Sequence, residues 1–65
     1  MNAQLESIFL DAAREYRALK SKDESAKYIL YEKYKYLIYS LKSSSETNHI
    51  NFDSEIIKLA KILKV

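Results

Sequence analysis

The sequence predicts an all-α protein, a three-helix antiparallel bundle, and three observations point there. None of the 65 residues is glycine or proline, so the tight turns that join strands have little to form from. Only Asn48-His49 hints at one. Three stretches carry apolar residues at spacings of three and four, the period of a helix face. One polar stretch, from the serines at 43–45 to Asn51, is the only long linker. The result is a single domain over 1–65, with helices at about 3–20, 22–42 and 53–64 and a linker at about 43–52.

In the first helix, Leu5, Ile8, Phe9, Ala12, Tyr16 and Leu19 fall within one sector, while charged residues occupy the rest of the circumference. Asp11 opposes Glu15 at i,i+4, and Arg14 at i,i+3 from Asp11 offsets that repulsion. Asn2 is the expected N-cap. Ser21-Lys22-Asp23-Glu24 has the spacing of a capping box, with the Ser21 hydroxyl and the Glu24 carboxylate each serving the other's backbone N–H. Such a tight corner favours an antiparallel pair.

The second helix has a broad apolar sector of Ala26, Leu30, Tyr31, Tyr34, Leu37, Ile38 and Leu41. A separate strip carries Ile29 and Tyr36, with Tyr28 and Tyr39 beside them. Apolar character on two sides predicts a helix placed between two neighbours. Lys33 and Lys35 mark its water-facing directions. In the third helix Asp53 is the expected N-cap, and Phe52 is placed to staple onto Ile57. Ile56, Ile57, Leu59, Ala60 and Leu63 make its buried face, with Lys58, Lys61 and Lys64 outward.

Charge and composition narrow the function. The net charge is only +2 and 48% of residues are hydrophobic, which argues against disorder. The bases outnumber the acids only in 22–42, and so small an excess makes nucleic acid an unlikely partner. No apolar run approaches the ~20 residues of a membrane span, and the N-terminus does not read as a signal peptide. With no cysteine, neither a disulfide framework nor a thiolate metal site is available. An intracellular, cytoplasmic protein is the expectation, either whole or an excised domain.

Catalysis needs a nucleophile or an acid–base pair held in a cleft. The sole histidine, His49, falls in the linker; Asp23 and Glu24 are accounted for by capping; a glycine-rich phosphate loop has no glycine to form from. No catalytic residue, cofactor or metal is therefore assigned, and the chain is read as non-enzymatic. Six tyrosines occur, five of them within 28–39. Tyr31 and Tyr34 suit the core with hydroxyls at its edge. Tyr28, Tyr36 and Tyr39 cannot all face the same neighbour as Leu37, and exposed tyrosines beside Lys35 suit a partner site.

The segment SKDESAKYILYEKYKYLIYSLK, from Ser21 to Lys42, resembles the second helix of MIT (microtubule-interacting and trafficking) domains. The similarity lies in an acidic start, Ala26, Tyr31, Tyr36-Leu37 and Leu41-Lys42. The run Tyr28–Tyr34 is also similar to the N-terminal helical domains of ESCRT-associated deubiquitinases, and Ala12-Ala13 with Tyr16 fits the first helix. The resemblance implies a three-helix adaptor in ESCRT-linked protein transport, with an ESCRT-III tail as partner. Its guest would be an amphipathic peptide helix in the groove between helices 2 and 3. The residues expected to hold that guest are Tyr28, Lys35, Tyr36, Tyr39, Ile57, Lys58, Lys61 and Ile62. Two alternatives stand beside it: a small homodimeric regulator that hides surplus apolar surface in a second copy, and a small viral-type or nucleic-acid-binding regulator.

Overall fold

The computed structural model describes residues 3–43 and 50–65. The expected cap Asn2 and the expected linker residues Ser44, Ser45, Asn48 and His49 lie outside the described residues. Three α-helices form, α1 (Ala3–Ala18), α2 (Glu24–Ser40) and α3 (Phe52–Leu63), and one 3₁₀ turn, Leu41–Ser43, extends α2. Each helix packs on the other two, in a short rod of 38 × 17 × 16 Å.

The core follows the apolar spacing. Leu5 and Ala12 of α1, Leu30, Tyr34 and Ile38 of α2, and Phe52, Ile56, Leu59 and Leu63 of α3 are buried together. Their i, i+3, i+4 and i+7 spacings put each set on one side of its helix. Ile38, Leu59 and Leu63 are the largest side chains wholly out of water. Around them Ile8, Phe9, Tyr16, Leu19, Tyr31 and Ile62 are half-buried.

The helix starts differ from the expected ones. At α2 the cap is Asp23, whose carboxylate accepts from the Ala26 N–H at 2.8 Å. Ser21, expected as the cap, instead donates its hydroxyl to Asp23 at 3.4 Å, and Glu24 pairs with Lys27 at 3.0 Å. At α3 the cap is Asn51, accepting from the Ser54 N–H at 3.2 Å. That makes Phe52 the first helical residue and moves Asp53 into the first turn, where its charge still favours the helix dipole. With the helix begun there, Phe52 turns into the core, Ile57 turns outward, and the expected staple is not made.

Interhelical polar contacts fix the arrangement. Tyr34 of α2 donates to the Glu15 carboxylate of α1, and Lys33 bonds the same carboxylate at 3.1 Å. Lys27, largely buried, donates to the carbonyl of Lys64 at 2.9 Å, at the end of α3. A cation there satisfies a carbonyl left over at the helix terminus and suits its dipole. Residue 27 meeting residue 64, while Tyr39 stacks on Phe52 at 6.3 Å, makes α2 antiparallel to α3. Likewise Glu15 meets Lys33 and Tyr34 while Ile8 lies with Leu37 and Leu41, so α1 and α2 are antiparallel and α1 runs parallel to α3.

The expectation that α2 lies between two layers is corrected in one respect. Its two neighbours share a single broad side of it, so the strip of Ile29 and Tyr36 faces neither and is exposed. Lys33 is exposed as expected, but Lys35 is half-buried, folded over the Tyr31 ring at 5.1 Å.

Candidate functional site

The seam between α2 and α3 gathers half of the residues expected to hold a partner. At one end Tyr28 and Tyr31 of α2, Ala60 of α3, Val65 and Glu24 line a shallow cleft. Ile57 is one turn before Ala60 on the same flank. At the other end Tyr39 stacks on Phe52, and the Lys42 ammonium lies 4.7 Å from the Tyr39 ring centre. Lys35 lies between the two ends. Three large apolar side chains on this seam remain in contact with water: Tyr28 at 56% exposure, Ile57 at 57% and Val65 at 45%.

A small polar relay on α2 shapes the upper rim. Tyr28 and Glu32 are one turn apart, and Glu32 pairs with Lys35 at 3.3 Å. The Tyr28 hydroxyl, then Lys35, hold the Glu32 carboxyl below its ordinary value. The same contacts raise Tyr28, chiefly through its hydrogen bond to Glu32, and raise Lys35. The Tyr28 and Tyr31 rings are tilted with centroids 6.0 Å apart, and the Lys35 ammonium lies 5.1 Å from the Tyr31 ring centre.

No family model, curated protein or solved structure matches this chain. Its function must therefore be argued from its own surface.

The other four expected residues lie elsewhere. Tyr36 is two positions from buried Ile38, about 200° round the helix, and at 74% exposure faces away from both neighbours. Lys58 and Ile62 are each two positions from Ala60, so they lie on the far side of α3. There Ile62 is half-buried against the core and Lys58 pairs with Glu55 at 3.2 Å. Lys61 is exposed one turn beyond Ile57, at the outer edge. The seam residues not expected at the partner site are Tyr31, Ala60, Val65, Glu24 and Glu32. Glu32 had a usable signal, lying i,i+4 from Tyr28 and i,i+3 from Lys35.

Among the described residues no group of three His, Cys, Asp or Glu side chains converges as a metal site would require, and no helix is long and apolar enough to cross a membrane.

Proposed function

We propose that this chain is a non-enzymatic protein-interaction module that takes an amphipathic helix along the α2–α3 seam. The observation that carries the reading is the cleft lined by Tyr28, Tyr31, Ala60 and Val65, with Tyr28 and Val65 exposed in it and Ile57 exposed one turn before Ala60. A guest helix with apolar residues at i, i+3 or i+4, and i+7 matches such a cleft, since its own ridge has that spacing. Lys35 and Lys42 at the rim, each over an aromatic ring, face the flanks of such a guest and favour acidic residues there. The resemblance to MIT domains supplies the particular candidate, the C-terminal tail of an ESCRT-III subunit, and with it a role in ESCRT-linked transport. The test is an NMR titration with such tail peptides. The reading expects shifts clustered at Tyr28, Tyr31, Ile57 and Ala60; no shift in the α2 and α3 amides at millimolar peptide rejects it.

A second reading has its own observation. Ile29 and Tyr36, one heptad apart on α2, are exposed at 68% and 74% and lie on one outward line. A second copy of the chain packed on that line would cover both, and small domains gain stability by such association. Sedimentation across a concentration range decides it. A monomer at every concentration removes this alternative and leaves the seam untouched.

A further inference from the structure

The bases of this protein are not distributed alike once the chain is folded. Arg14, Lys27, Lys33, Lys35 and Lys58 each pair with a carboxylate, and Lys42 lies over Tyr39 and Phe52. The remaining five, Arg17, Lys20, Lys22, Lys61 and Lys64, have no carboxylate partner among the described residues and are exposed, although Lys22 lies 5.4 Å over the Tyr16 ring and donates to the Leu19 carbonyl at 3.3 Å. They also share one end of the rod. Arg17 closes α1, Lys20 and Lys22 form the α1–α2 corner, and Lys61 and Lys64 close α3, which runs parallel to α1.

The acids of that corner are already engaged: Asp23 caps α2, and Glu24 pairs with Lys27. Glu6 and Asp53 lie in the first turns of α1 and α3, at the opposite end. The rod is therefore polar along its length. Helix electrostatics accounts for part of this, because α1 and α3 both present C-termini to the basic end. Two such termini amount to about one negative charge and the Asp23 carboxylate adds another, while Glu24 is offset by Lys27; the five bases exceed that sum.

We propose that this basic end docks on the surface of an anionic phospholipid leaflet, with the rod standing on its end. The cross-section there is only 17 × 16 Å, so the five cations form a compact cap rather than a stripe. Arg17 and Lys61 stand within one turn, roughly 5 Å, of their helix ends, and that offset is shorter than a Debye length, roughly 8 Å at physiological salt. Glu6 and Asp53 stand roughly 16 Å and 12 Å along their helices from Arg17 and Lys61, beyond that length, where their repulsion is screened. A nucleic-acid strand lying along the flank meets bases that are already paired and then, at the far end, acids. Val65, exposed beside Lys64, adds a small apolar contact at the headgroup level. The five bases lie outside the lining of the α2–α3 cleft, and only Val65 is common to both footprints, so the two readings are tested by different residues.

The experiment is co-sedimentation of the whole chain with vesicles of phosphatidylcholine alone, and with vesicles of roughly one part phosphatidylserine to two of phosphatidylcholine. Binding is expected only to the anionic vesicles and is lost as salt rises from about 50 mM to about 500 mM. The Lys20→Gln/Lys61→Gln double variant, whose circular dichroism should match the parent, is expected to bind about 30-fold more weakly, the effect of two bases beside an anionic leaflet. Lys42→Gln, at the opposite end, should bind as the parent does. Equal binding to neutral vesicles, no binding at low salt, an unaffected double variant, or tighter retention by an oligonucleotide than by the anionic vesicles at equal phosphate would each overturn the proposal.

Discussion

At the scale of single residues, Glu32 and Tyr28 are the most informative pair. Glu32 titrates below an ordinary glutamate because the Tyr28 hydroxyl and Lys35 favour its charged form. A depressed acid contributes stability above its unfolded pKa and loses it as pH falls through the folded one. The relay should therefore hold at neutral pH and release in acid, below the ordinary glutamate range. Following the Glu32 carboxyl carbon by NMR checks this. In Tyr28→Phe its midpoint is expected to move up toward the ordinary value, since the leading cause is gone; an unchanged midpoint would mean that Lys35 alone sets it. Tyr34 is a second test at this scale. It donates to Glu15 from the buried face of α2, and Tyr34→Phe is expected to cost about 1 kcal/mol in chemical denaturation, as Lys33 still pairs with Glu15.

At the scale of the helices, existence and facing were legible from the sequence and the exact ends were not. Leu30, Tyr34 and Ile38 recur every four residues, and Ile56, Leu59 and Leu63 at three and four, so the core sides could be read from period alone. The caps could not, because each start offers several side-chain oxygens in a row. Ser21, Asp23 and Glu24 compete at one, Asn51, Asp53 and Ser54 at the other. The winner is the residue whose backbone is extended, as at Asp23 (ψ 167°) and Asn51 (ψ 95°), and composition does not encode that. The α3 terminus gives the clearest prediction. Lys64 adopts the left-handed conformation, φ 58° and ψ 44°, where a side chain is disfavoured and glycine is not. Its substitution Lys64→Gly keeps the carbonyl that Lys27 uses and is expected to stabilise by about 1 kcal/mol, raising Tm by roughly 4–8 °C. Asn51→Ala, which removes the α3 cap, is expected to lower stability by about 1 kcal/mol.

At the scale of the whole molecule, what the sequence hid is which side of each helix meets which neighbour. Periodicity locates a buried stripe but gives no order of helices around the core. Lys58 and Ile62 were thus expected beside Tyr28 and Ile57, although the fold turns them to the other side of α3 from Ala60. The same folding step brings to one end the five exposed bases without a carboxylate partner among the described residues, which no segment-by-segment count of charge reveals. What survives is a valley between α2 and α3 with Tyr28, Ile57 and Val65 in contact with water, and the proposed adaptor role rests on it. Calorimetric titration of an amphipathic peptide helix into the parent chain and three surface variants tests that role most directly. Tyr28→Ala and Ile57→Ala are each expected to weaken binding by tenfold or more, about 1.4 kcal/mol or above, while Tyr36→Ala on the outer face of α2 leaves it unchanged. Full affinity in the two seam variants, or its loss in Tyr36→Ala alone, would contradict the account.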